Sequence, residues 1–190
     1  MNQWPKSRRL PSNTAPLTED RALSYTLRLL KTRPRTCFEV ATRLAERGLP
    51  GFQIDSVLQQ LTKLQLLDDA RFARDWVRWR DRFHLSGTYL LQHELAEKGV
   101  ETAVIEAVLA ERETAAWRED IGIDGDAASV DEALASQLVE RRAERMADLA
   151  VDKRQSRLTN LLLRRGFSPS IVYKIVRASL KKNDRPAPTE

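Results

Sequence analysis

One structural unit is written three times in this chain of 190 residues. Three glycines, Gly48, Gly99 and Gly166, set the register. Leu44, Leu95 and Leu162 stand four positions before them, Val40, Leu91 and Leu158 eight before, and Arg47, Lys98 and Arg165 immediately before. After each glycine come apolar residues at the sixth, ninth and tenth positions: Ile54, Val57 and Leu58, then Ile105, Val108 and Leu109, then Val172, Ile175 and Val176. Apolar spacing of three and four gives a helix one buried stripe. A glycine between two such stripes supplies the left-handed residue that ends a helix at little steric cost. The repeat therefore reads helix, glycine turn, helix.

A further helix precedes each pair. In the first copy it carries Ala22, Leu23, Thr26, Leu27 and Leu30 on one face and stops before Arg33-Pro34, because a residue preceding proline is driven out of the helical region. Thr36 with Glu39 and Ser129 with Glu132 are capping-box patterns. Asp68 or Asp69 can cap the helix that carries Phe72, Trp76, Trp79 and Phe83, a stripe expected in the core. Ser168-Pro169 marks a helix start, with proline at the first helical position. The chain is thus expected to be all-α, an elongated tandem array of three three-helix, helix-turn-helix-like modules at 17–67, 68–110 and 132–182. Residues 1–16 and 183–190 read as disordered tails, the first of them basic. The glycines lie 51 and 67 residues apart, and the excess is placed in 111–131, where two basic residues face seven acidic ones. That stretch reads as a helix extension followed by an acidic linker.

Composition narrows the function classes. Glycine is scarce, at 7 residues, while 42% of the chain is hydrophobic, as befits packed helices. No apolar run is long enough for a membrane span or a secretory signal. The single cysteine, Cys37, cannot form an internal disulfide, which fits the cytoplasm. His84 and His93 lack metal-ligand spacing, and no phosphate loop, GxSxG elbow or CxxC occurs. Asp120, Asp124, Gly125 and Asp131 only faintly imitate a calcium loop, with Gly122 at the third position and an aspartate at the twelfth. No catalytic residue, cofactor or metal is expected.

The formal net charge is +5, with basic ends around an acidic centre, a pattern suited to a polyanion or an acidic protein surface. Operator reading by the last helix of each module is disfavoured, since Glu101–Glu111 has three glutamates and no basic residue, and phosphates would repel it. The basic residues gather elsewhere. They are Arg28, Lys31, Arg33, Arg35, Arg43 and Arg47 in the first module, and Arg74, Arg78 and Arg82 in the second, in one stripe with Arg71. The third module has Arg154, Arg157, Arg164 and Arg165, with Lys174 and Arg177 on its last helix.

Several ordered segments resemble the RecX family of regulators of the RecA recombinase. They are Leu67-Asp68-Asp69-Ala70-Arg71-Phe72-Ala73, Glu94-Leu95-Ala96-Glu97-Lys98-Gly99 and Leu162-Leu163-Arg164-Arg165-Gly166-Phe167. Tyr25, Leu27-Arg28-Leu29-Leu30 and Arg33-Pro34-Arg35 are similar to the family's first module, and the likeness spans about residues 20–182. Cys37-Phe38-Glu39-Val40 departs from the more polar segment usual there. The resemblance implies a non-enzymatic, monomeric, cytoplasmic regulator that binds RecA filaments on single-stranded DNA. It would inhibit their ATP hydrolysis, strand exchange and co-protease activity in recombination and the SOS response. On that reading the basic residues named above meet the filament or its DNA, and Leu67–Ala73 locks one module to the next. The alternatives are a DNA-binding protein acting independently of RecA through its basic stripes, and an adapter between other helical proteins.

Overall fold

A computed structural model of the chain describes residues 18–123, 127–146 and 148–183. The tails expected at 1–16 and 183–190 lie outside the described residues, apart from Asn183 at the end of the last helix, as do Asp124 and Gly125. The described elements are helical throughout: α1 (Glu19–Thr32), α2 (Cys37–Glu46), α3 (Gly51–Lys63), α4 (Asp69–His84), α5 (Thr88–Glu97), α6 (Thr102–Arg112), α7 (Ala115–Asp120), α8 (Val130–Ala143), a 3₁₀ turn at Glu144–Met146, α9 (Val151–Arg164) and α10 (Pro169–Asn183). They form two compact units. One holds the described residues up to Arg74 together with Leu95–Ile105, and the other holds Asp75–Glu94 and the described residues from Glu106 onward.

Each unit has its own core. In the first, Ala22 of α1, Val40, Ala41 and Leu44 of α2, and Ile54, Val57 and Leu61 of α3 are buried together. In the second, Leu134 and Leu138 of α8, Leu158 and Leu162 of α9, and Val172 and Val176 of α10 do the same. Of the repeated apolar positions only Leu109 is merely half-buried; the others are buried, and Leu44, Leu95 and Leu162 are fully so.

The glycine turns are built alike. Gly48, Gly99 and Gly166 have φ of 79°, 73° and 79°, a conformation that costs other residues energy through Cβ clashes. The next residue's N–H returns to the carbonyl of the repeated leucine: Leu49 to Leu44 at 3.1 Å, Val100 to Leu95 at 3.0 Å and Phe167 to Leu162 at 3.2 Å. Each returning residue is also buried. These are the bond and apolar contact of a Schellman cap. At the N-termini, Thr36 accepts the Glu39 N–H, Ser129 accepts the Glu132 N–H, and Asp68 accepts the Arg71 N–H at 2.9 Å.

Modules are joined by contacts that recur in register. The Asp69 carboxylate, in the first turn of α4, accepts the Cys37 N–H that opens α2, at 2.9 Å. In the other unit Asp131, in the first turn of α8, accepts the Thr88 N–H that opens α5, at 3.0 Å. The glycine turns dock in register too. Thr36 Oγ1 donates to the Lys98 carbonyl at 2.6 Å, and the Gly87 N–H donates to the Arg165 carbonyl at 2.8 Å. Thr36 and Gly87 each lie twelve positions before their own module's glycine. A Cβ on Gly99 would strike Phe38, and one on Gly166 would strike Leu90.

Two local expectations change. The segment 111–131 holds the short helix α7, in which Thr114 accepts the Trp117 N–H and Trp117 is buried. The linker reading fails because Trp117 has a pocket to fill and Asp120 has arginine partners. The aromatic stripe of α4 is core only at its start, where Phe72 is buried and Trp76 half-buried. Trp79 is 44% and Phe83 70% exposed, while Ala73, Val77, Asp81 and Leu85, spaced four apart, are buried. The later turns of the helix place Val77 and Asp81 inward, where the Trp117 indole reaches Asp81, and leave the Trp79 and Phe83 rings outside.

Candidate functional site

The described structure sorts the candidate cations into those bound within the fold and those turned to solvent. In the first unit Arg28 and Lys31 lie exposed on α1. Arg33 forks onto the Glu39 carboxylate at 3.0 and 3.1 Å, and Arg43 pairs with Glu46 at 3.2 Å. The Arg47 guanidinium stacks 4.5 Å from the Tyr25 ring centroid, a cation–π contact. Arg35 and Arg74 are half-buried.

In the second unit, α7 collects the arginines of α4. Asp120 receives Arg82 at 2.7 Å and Arg78 at 3.2 Å, and the Arg78 guanidinium also lies 4.5 Å from the Trp117 ring centroid. Arg154 is only 6% exposed, which takes it out of any surface stripe. Its position explains this: Arg154, Leu158 and Leu162 are spaced four apart along the buried face of α9. Arg165 donates to the His84 carbonyl at the end of α4, so it caps that helix. Lys174 pairs with Glu132 at 2.6 Å. Arg157, Arg164 and Arg177 are exposed, with Arg164 touching the Asn160 carbonyl at 3.3 Å. The solvent-facing candidates are therefore Arg28 and Lys31 in one unit, and Arg157, Arg164 and Arg177 in the other.

A second polar centre was not anticipated. Arg112 is buried and makes five hydrogen bonds: Nε and Nη2 to Asp81 at 2.9 and 2.8 Å, Nη2 to the Ser86 carbonyl at 3.0 Å, and Nη1 to Asp131 at 2.6 Å and Thr88 at 3.1 Å. Trp117 Nε1 donates to Asp81 at 3.1 Å. Every guanidinium proton is thus used. Burial works against the Arg112 charge, but the Asp81 and Asp131 carboxylates outweigh it and hold its pKa above the ordinary value. The sequence signal was available, since Arg112 continues the buried stripe of Ile105 and Val108 and Asp81 continues that of Val77.

Beside this centre Glu94 receives Arg80 Nε at 2.7 Å and Trp76 Nε1 at 2.9 Å. The exposed Trp79 ring lies 4.3 Å from His84, centroid to centroid. Partial burial, with the guanidinium groups of Arg80 and Arg165 close by, holds His84 below its ordinary pKa. Among the described residues no group of three or more His, Cys, Asp or Glu side chains could hold a metal ion, and no helix is long and apolar enough to cross a membrane. The sites described here order structure and present charge.

Models of the first, second and third three-helix domains of RecX match residues 22–61, 68–109 and 130–176. The chain belongs to the RecX family. Among relatives, the regulatory protein RecX of Mycobacterium ulcerans (strain Agy99) is 37% identical over 171 residues, covering 90% of this chain and 91% of the relative. Regulatory protein RecX of Thermobifida fusca (strain YX) is 32% identical over 174 residues, covering 90% and 86%. The crystal structure of RecX from Lactobacillus salivarius superposes with a TM-score of 0.69 over 85% of this chain and 96% of that one, at 21% identity. At that identity the likeness is one of fold, the all-helical RecX arrangement of three-helix domains.

Proposed function

We propose that this protein is a non-enzymatic cytoplasmic regulator that binds the filament of RecA on single-stranded DNA. In this role it restrains the ATP hydrolysis, strand exchange and co-protease activity of the filament during recombination and the SOS response. The observation that carries the reading is the match of all three RecX domains in order along one chain, with relatives named as regulatory proteins covered over nine-tenths of their length. Modules at 17–67, 68–110 and 132–182, acting as a monomer, give several weak contacts on one partner, and linked contacts multiply in affinity. Arg28, Lys31, Arg157, Arg164 and Arg177 are the residues proposed to meet the acidic surfaces of the filament or its DNA.

The test is single-stranded-DNA-dependent ATP hydrolysis by the recombinase of the same organism, with this protein added at increasing ratio. Inhibition well below one molecule per recombinase protomer is the expected result. No effect at equimolar protein, together with steeply salt-dependent binding to bare DNA, overturns the reading in favour of a DNA-binding protein that acts alone.

A further inference from the structure

In the first two modules, the place where the second helix begins and the third helix ends is filled by the next module's first helix. Asp69 of α4 caps Cys37 of α2, and the Cys37 side chain also reaches Thr62 near the end of α3. Asp131 of α8 caps Thr88 of α5 and binds Arg112 at the end of α6. Both entering helices carry an aspartate in the first turn at this point. The seat is thus a repeated device: a cleft between two helices that accepts a third, acidic where it enters.

The third module has a groove at the corresponding place, between α9 and α10. Gln155 there corresponds in register to Cys37 and Thr88, and Leu180 to Thr62. Both line a groove of about 640 Å³. Its floor is aliphatic, made by Val151, Leu163, Val172, Val176 and Leu180, with one aromatic ring from Tyr173. Among the described residues Arg177 and Lys181 are its charged lining, and no acidic residue lines it. Val151 and Leu163 are exposed, and Tyr173 is 67% so. From Val151 to Leu163 the groove follows α9 for about 18 Å, three helical turns at about 1.5 Å per residue.

We propose that this groove receives a helix of the protein partner, apolar along one face and acidic in its first turn, as α4 and α8 are received in the other two seats. The inference rests on the reading of a recombinase filament as that partner. Nucleic acid fits less well, because bases stack on aromatic faces and this floor offers a single one. A second copy of the chain would have to offer α1, the first helix of its first module, and that helix is already packed in its own core through Ala22, with Glu19 bound to Ser56 at 2.6 Å and Gln60 at 3.1 Å. The seat is also altered, since α9 begins one turn earlier than its counterparts. A foreign helix, not an identical module, suits that change.

The experiment uses the full chain with a photoreactive benzoylphenylalanine in place of Tyr173, mixed with the recombinase filament of the same organism and irradiated. Filament affinity of Tyr173→Ala and Arg177→Glu/Lys181→Glu is measured alongside, with helicity followed by circular dichroism. The expected result is a cross-link to a recombinase helix with aspartate or glutamate in its first turn, and about tenfold weaker binding for each variant, the scale of an interface hot spot. Binding by the wild-type chain with unchanged affinity in both variants overturns the groove proposal alone. A cross-link to DNA or to a second copy of the chain also overturns it. Failure of the wild-type chain to bind the filament at all overturns the functional reading itself.

Discussion

Charged residues that continue an apolar stripe decide much of the interior. Arg112, Asp81 and Arg154 each fall on the buried face of their helix, and a buried charge is costly unless it is paired and hydrogen-bonded. Arg112 meets that condition with five bonds, so removing one partner leaves an uncompensated ion. Arg112→Ala and Asp81→Ala are each expected to destabilise the fold by about 3–5 kcal/mol, read from urea denaturation followed by circular dichroism. A loss under 1 kcal/mol (about the worth of an exposed pair) would show that the network is not closed in solution. Cys37 illustrates a second competition. A helix N-terminus favours the thiolate, but burial, then the charge and hydrogen bond of Asp69, push the thiol from 9.0 up to about 11. The folded chain therefore holds this proton where the unfolded chain has released it. The stability this contributes is complete below pH 9 and is lost as pH rises from about 9 through 11. Iodoacetamide should alkylate Cys37 slowly at neutral pH, with thiolate about a hundredfold scarcer than in the unfolded chain. A rate inflection at or below 9 in the native protein contradicts this.

At the scale of the element, the glycine turn does two tasks that substitution can separate. Gly166 and Gly122 both have positive φ, of 79° and 71°. A Cβ on Gly122 would meet open space, whereas one on Gly166 would lie 2.3 Å from the Leu90 backbone nitrogen. Gly122→Ala should therefore cost only the left-handed backbone term, about 1–2 kcal/mol. Gly166→Ala should add an overpacking penalty of about 1–3 kcal/mol. Equal losses in thermal unfolding would mean that the close approach to α5 relaxes freely. The residue before the glycine belongs to the same device. Arg165 caps the end of α4, so Arg165→Glu is expected to lower thermal stability, while Arg164→Glu, one position earlier and exposed, leaves it unchanged.

For the whole molecule, the five solvent-facing candidates, Arg28, Lys31, Arg157, Arg164 and Arg177, are ones whose reversal should act on binding without acting on folding. Arg157→Glu/Arg164→Glu is expected to weaken filament affinity by about tenfold or more, with helicity and thermal stability retained. Unchanged affinity would remove the third module's α9 from the contact surface. Lys174→Glu is a useful contrast, since Lys174 is already paired with Glu132 and its reversal would repel a carboxylate of its own fold.

Local backbone chemistry made the modules readable without coordinates. The three glycine turns, the capping residues Thr36, Ser129 and Ser168 and nearly all of the repeated core positions follow from periodicity and from which residues tolerate a left-handed φ, both properties of a few consecutive residues. The fate of each charge did not follow, because it depends on what a neighbouring helix places opposite. Arg154 reads as one of a basic run until its register against Leu158 and Leu162 shows it buried. Arg78 and Arg82 read as contacts for a partner until α7 brings Asp120 to them. Trp79 and Phe83 read as core until the smaller residues of α4 claim that face. The recurring aspartate seat also came only from tertiary structure, since Asp69 and Asp131 find their partners 32 and 43 residues away in the chain. Sequence determined where helices begin, end and repeat; packing decided which side chains were left to meet another molecule.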